Sequence, residues 1–157
     1  MLTAAILTIS DTRSAGTRED TTTGLMTELL TQIGVEVVAT RLVADEQDEI
    51  AAAIVELCEG AALVLTSGGT GLAPRDVTPE ATRSVIDREA PGIAEAMRAE
   101  TARFQRLAWL SRAVAGTRGR TLIINLPGNP KAVRECLGVL EPMLPHALKL
   151  SSGADTH

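Results

Sequence analysis

Two aspartates and a run of glycines are the residues of this chain with the clearest chemical use. Asp45 follows the apolar stretch 35–43, and Asp76 closes Thr66-Ser67-Gly68-Gly69-Thr70-Gly71-Leu72-Ala73-Pro74-Arg75-Asp76. Glycines at 68, 69 and 71 let successive backbone N–H groups face one concavity, which suits a phosphate. Carboxylates beside such a loop suit Mg²⁺, which takes oxygen ligands and shares them with phosphate. The loop is not a P-loop, because no Gly-Lys-Ser/Thr follows. Nor is it the dinucleotide fingerprint, because Pro74 stands where its third glycine would fall. Taken singly, each residue also has a plain structural reading. Asp45 can cap the next helix, and Asp76 can cap or pair with Arg75. Pro127-Gly128-Asn129-Pro130 can be a turn and helix start.

Positioning decides between those readings. The apolar runs 4–9, 35–43, 63–65 and 121–126 read as strands, and run 4–9 is continuous, as strands covered on both faces are. Helical spacing is predicted over 22–33, 48–58, 79–89, 92–104 and from 130 onward. Thr78 is expected as an N-cap with Pro79 at the first helical position, and Asn129 with Pro130 likewise. Residues 12–22 read as a polar loop, residues 105–119 as irregular or partly extended, and residues 151–157 as a disordered tail. The β–α alternation predicts a single α/β domain over residues 1–150: a mostly parallel sheet with helices on both faces, three layers in all. In a parallel sheet every strand C-terminus lies on one edge, where ligands bind. Four loops leave that edge: Ser10-Asp11, Asp45, residues 68–76, and Pro127, Gly128 and Asn129.

Composition narrows the partners. Net charge is −5, and Phe104 and Trp109 are the sole aromatics. Both points argue against nucleic acid. Cys58 and Cys136 lack metal-ligand spacing and read as small buried residues. Trp109 reads as core or subunit interface. No stretch approaches the roughly 20 apolar residues of a membrane helix, and the N-terminus lacks the basic region of a signal peptide. The expected setting is the cytoplasm.

Several of these residues also form a known pattern. The run 66–71, with Pro74-Arg75-Asp76-Val77-Thr78-Pro79-Glu80-Ala81-Thr82, resembles the signature of the MogA/MoaB molybdenum-cofactor biosynthesis family. Leu126-Pro127-Gly128-Asn129-Pro130-Lys131-Ala132 is similar to its second signature. Ile9-Ser10-Asp11 with Gly16 and Asp20 looks like its N-terminal loop, and Leu110-Ser111-Arg112 like a further segment. The similarity runs over about residues 4–150, with the detail closest to the molybdopterin-adenylating members. It implies a homotrimer that transfers AMP from Mg-ATP to the terminal phosphate of molybdopterin and releases pyrophosphate, with a molybdate-insertion protein downstream. It implies that Asp45 and Asp76 are the essential aspartates, holding Mg²⁺. The expected ligand contacts are Ser10, Asp11, Ser67, Gly68, Gly69, Thr70, Gly71, Arg75, Ser111, Pro127, Gly128 and Asn129, with Arg112 a further anion contact. One departure stands out: Asp20-Thr21-Thr22-Thr23 replaces the usual Asp-x-Ser-Gly. Two other functions fit the same residues: a molybdopterin-binding module without catalysis, and a nucleotide pyrophosphatase.

Overall fold

A strand with no polar alternation must be covered on both sides, and in the computed structural model the first one is. The structure describes residues 1–16 and 20–153. In β1 (Leu2–Ile9), Ala4 and Ile6 face one core cluster while Ala5, Leu7 and Ile9 face another, as the two-residue period of a strand requires. β3 (Leu63–Ser67) and β6 (Thr121–Leu126) are buried along their whole lengths in the same way. With β2 (Val35–Val43), β4 (Arg88–Glu89) and β5 (Ala115–Arg118) they form a six-stranded sheet of order β2-β1-β3-β6-β5-β4. β2, β1, β3 and β6 run parallel; β5 pairs antiparallel with β6, and β4 antiparallel with β5.

Helices cover both faces. On one side lie α2 (Thr22–Gln32), α5 (Pro91–Thr101), α6 (Pro130–Leu140) and α7 (Leu144–Ser152), which bring Met26, Leu30, Met97, Val133 and Leu148 to the sheet. On the other lie α3 (Gln47–Cys58) and α4 (Thr78–Arg83), which bring Ile50, Ile54 and Ala81. No aromatic ring enters either cluster, so burial of aliphatic surface, worth about 25 cal/mol per Å², holds both layers. One amide is built into this core. Asn125 accepts from the Val114 N–H at 3.1 Å and donates to the Thr66 and Thr82 hydroxyls at 2.9 Å each. A buried amide must be satisfied in this way.

Four details depart from the sequence reading. The helix expected over 79–89 stops at Arg83, because the next segment pairs with the sheet: the Asp87 N–H donates to Thr117 O at 2.7 Å and the Ala90 N–H to Ala115 O at 2.8 Å. Gly116 permits that approach, since a Cβ there would lie 2.9 Å from Ile86 Cδ1. The expected polar loop holds a short helix, α1 (Asp11–Ser14), with Ser10 accepting from the Arg13 N–H; residues 17–19 of that stretch lie outside the described residues. Ser151 and Ser152, expected in the tail, continue α7, and left-handed Gly153 closes it; residues 154–157 lie outside the described residues. Of the two settings expected for Trp109, core or subunit interface, the core is excluded: it is 59% exposed on a 3₁₀ turn, Arg106–Leu110. No helix among the described residues is long and apolar enough to cross a membrane.

Candidate functional site

The four parallel strands deliver their loops to one edge, and the loops are tied to one another. The Ser10 N–H donates to Val43 O and the Gly68 N–H to Leu126 O, each at 3.0 Å. The Ser67 hydroxyl, 2.8 Å from Pro127 O, joins the ends of β3 and β6. Ser67, expected as a ligand contact, thus spends its hydroxyl on the scaffold. Between the loops lies a crevice of about 330 Å³, whose walls include Ser10, Asp45, Gly68, Gly69, Asp76, Gly128 and Asn129. Asn129 also walls a second cavity of about 300 Å³, where Ser111 and Pro127 sit beside Met97, Ala108 and Cys136. Ser111 and Pro127 thus belong to the adjoining cavity, not to the crevice.

The glycine run is shaped by close contacts. Gly68 and Gly69 have φ of +106° and +68°, a region side chains avoid. A Cβ on Gly68 would collide with the Ile9 carbonyl, and one on Gly69 with the Thr78 hydroxyl while lying 3.1 Å from Asp45 Oδ1. The Thr78 hydroxyl donates to Gly68 O at 2.9 Å and its N–H to Gly69 O at 3.1 Å. Thr78 is therefore the first residue of α4 and a tie to the loop; Val77 takes the cap position expected for it. The N–H groups of Gly69, Thr70 and Gly71 donate to no group among the described residues. They are the donors that an anion can use.

Asp11 and Asp45 clasp each other. The Asp11 N–H donates to Asp45 Oδ2, and the Asp45 N–H to Asp11 Oδ1, both at 2.9 Å. Arg75, expected to contact ligand, instead grips Asp11 through Nε (2.5 Å) and Nη2 (3.0 Å) and reaches Glu46 at 3.0 Å. The Arg75 hydrogen bonds, helped by the Asp45 N–H, hold the Asp11 carboxyl down to about 2. Burial lifts the Asp45 carboxyl above its ordinary value, and the charges of Asp11 and Asp76 add to this against the Asp11 N–H and Arg75. Asp76 is fixed by the Ala73 N–H, 3.1 Å from its Oδ2. One oxygen of each, Asp45 Oδ1 and Asp76 Oδ1, accepts no hydrogen bond from the described residues.

The lowered value of Asp11 has a measurable consequence. Its contribution to stability is complete above the unfolded value of 3.8 and is lost as pH falls through about 2. Below pH 4 the melting temperature of Asp11→Asn is expected to fall less steeply than that of the parent chain. Added salt is expected to shrink the difference, because the Asp11–Arg75 pair is exposed. Parallel melting curves in pH titrations check both points.

Arg112 sits behind the loop. Its Nε donates to Gly71 O at 2.8 Å and Nη2 to Asp76 O at 2.6 Å, and both Nη1 and Nη2 bind Glu80. Its own N–H donates to Thr70 O at 2.8 Å. Expected as an anion contact, it is a brace whose donors are used. Asp20 is likewise a cap: it accepts from the N–H and the hydroxyl of both Thr22 and Thr23. Burial pushes its carboxyl up, but those hydrogen bonds, with the Arg13 charge behind them, hold it below its ordinary value. Thr23, the departure noted above, thereby anchors Asp20 and meets the Thr8 hydroxyl at 2.8 Å. One wall residue went unread in the sequence. Arg13 lines the crevice, and nothing in the spacing of a polar loop singles it out.

Comparison with known proteins follows the same outline. Residues 5–146 match the family described as "Probable molybdopterin binding domain". The chain is 40% identical over 152 residues to the molybdopterin adenylyltransferase of Helicobacter pylori (strain J99), spanning 94% of this chain and 86% of that one. It is 44% identical over 140 residues to the molybdopterin adenylyltransferase of Escherichia coli K12, spanning 87% and 72%. The crystal structure of the molybdopterin biosynthesis enzyme MoaB from Thermus thermophilus superposes with a TM-score of 0.93 at 52% identity, covering 98% of both chains.

Proposed function

From the premise that this chain belongs to the molybdopterin-binding family of molybdenum-cofactor biosynthesis, we propose that it works as a molybdopterin adenylyltransferase at the crevice on the sheet edge. The observation that carries the placement is the meeting there of Gly69, whose amide is unused, with Asp45 and Asp76, each of which keeps one unengaged oxygen.

The reaction forms a bond from a terminal phosphate oxygen of molybdopterin to the α-phosphorus of ATP and breaks the bond to pyrophosphate, which leaves. A phosphate monoester has a second pKa near 6, so the acceptor is already largely dianionic and needs no strong base. The task of the protein is to hold anions in line and stabilise the charge that builds on the leaving group. The amides of Gly69, Thr70 and Gly71 offer fixed donors for phosphate oxygens. Ser10 and Asp11, Gly128 and Asn129 form the rest of the wall and its support. The adjoining cavity with Ser111 and Pro127 gives the acceptor a mostly aliphatic berth.

The donor set fits Mg²⁺. Asp45 and Asp76 would hold it. Mg²⁺ commonly binds one or two carboxylates and completes its shell with water and substrate phosphates, so this pair is enough. When bound, Mg²⁺ supplies charge neutralisation on phosphate oxygens. Burial, and then the charges of Asp11 and Asp76, raise Asp45; such crowded carboxylates are surroundings in which a cation is stabilised.

The homotrimer and the hand-over to a molybdate-insertion protein rest on family resemblance. Exposed Phe104, Leu107 and Trp109 offer apolar surface for such contacts. Free Cys58 and Cys136, whose thiols burial pushes up to about 11, suit a reducing cytoplasm. The deciding experiment incubates the protein with molybdopterin, ATP and Mg²⁺ and measures pyrophosphate together with adenylated product. Product and pyrophosphate in equal amounts are expected. Tight molybdopterin binding with no pyrophosphate would instead make the chain a binding module.

A further inference from the structure

We propose that Arg13 is a phosphate-binding residue of the crevice, its guanidinium meeting an oxyanion beside the unused Gly69 amide. This rests on the crevice being the substrate site. The side chain is in an unusual state. Arg13 is only 8% exposed, yet its buried Nε has no hydrogen-bond partner among the described residues. Among the described residues its guanidinium makes one weak hydrogen bond: Nη2 stands 3.5 Å from Gly128 O, at the limit of such a bond. No carboxylate among the described residues lies within ion-pair distance of it, whereas Arg75 is paired with Asp11 and Glu46, and Arg112 with Glu80. Asp20, the nearest carboxylate by electrostatic effect, is engaged with Thr22 and Thr23.

An arginine stays charged in proteins, and a buried charge without a partner is costly. The cost is met when a ligand brings the counter-charge. Arg13 is the basic side chain that lines this crevice among the described residues, and it stands there with Gly68, Gly69 and Gly128. A planar guanidinium fork can take two oxygens of a phosphate at once. Asp45 and Asp76 on the same wall repel an unescorted polyphosphate. A fixed cation balances part of that repulsion even before Mg²⁺ is counted.

Two phosphates enter the reaction, that of ATP and that of molybdopterin, and the test separates them. Inorganic pyrophosphate is titrated calorimetrically into the full chain and into Arg13→Met and Arg13→Gln, with melting curves for each. The parent chain is expected to bind pyrophosphate, and both variants to bind it roughly ten- to a hundredfold more weakly. Their melting temperature without ligand is expected to be no lower than the parent's, which a scaffold residue would not allow. Equal pyrophosphate affinity in parent and variants overturns the proposal, as does failure of both variants to fold. In turnover, a raised KM for ATP alone assigns Arg13 to the donor, and a raised KM for molybdopterin alone to the acceptor. The two readings fail separately. Arg13-dependent pyrophosphate binding without adenylated product sinks adenylyl transfer and keeps this assignment; product formation with unchanged pyrophosphate affinity in the variants does the reverse.

Discussion

Replacing Asp45 or Asp76 by asparagine is expected to lower the rate of adenylated-product formation roughly 10³-fold or more, the scale of losing a metal ligand or a charge-stabilising group. Neither change is expected to harm the fold. The amide oxygen of an asparagine at 45 can still accept from the Asp11 N–H, and one at 76 can still accept from the Ala73 N–H. What disappears is the charge on the unengaged oxygens that face the crevice. Because burial and neighbouring carboxylates already oppose ionisation of Asp45, its asparagine variant is expected to melt no lower than the parent. Product formation at various Mg²⁺ concentrations, with melting curves alongside, makes the measurement. Parent-like rates in both variants would remove the aspartates from the mechanism.

Gly68→Ala is expected to damage fold and activity together. The added Cβ would meet the Ile9 carbonyl oxygen, a backbone atom of a buried strand that has no room to retreat. The residue also holds φ at +106°, where any side chain is strained. A loss of about 3 kcal/mol is expected, or a fall of roughly 6–12 °C in melting temperature for a chain of this size. Even where the variant folds, the loop must shift, and Gly128 shifts with it: a Cβ at 128 would already lie 3.3 Å from Gly68 Cα. Thermal unfolding and the product assay, run on the same preparation, test both halves. A variant that melts within a degree or two of the parent would show that the loop gives way easily.

The contrast between these residues and Arg13 shows what a sequence can carry. The strands β1, β2 and β6 were legible because a continuous or edge-strand apolar run has few other uses, and the sheet edge followed from β–α alternation. Convergence of the four loops followed in turn. The end of α4 was not legible: residues 84–90 have adequate helical character, and only the Asp87 and Ala90 hydrogen bonds to β5 overrule it. The arginines were legible as charges but not as roles. Arg75 and Arg112 are braces because of which carboxylates lie in reach, and that is set by folding partners 29 to 64 residues away; Arg13 meets no carboxylate among the described residues. Thr78 shows the same limit at smaller scale: its hydroxyl serves the glycine loop, a choice that spacing cannot reveal.

The exposed indole of Trp109 has a practical corollary. It is the single tryptophan in a chain without tyrosine, so essentially all near-ultraviolet emission comes from one ring on the 3₁₀ turn whose Leu107 and Ala108 wall the second cavity. With 59% of that residue in water, emission from the isolated chain is already red-shifted, and denaturation changes its colour little. Tryptophan fluorescence is therefore a poor thermometer of global unfolding here. It is a good local sensor: a blue shift on raising the concentration reports another surface covering the turn, and quenching or enhancement on adding ligand reports occupancy next door.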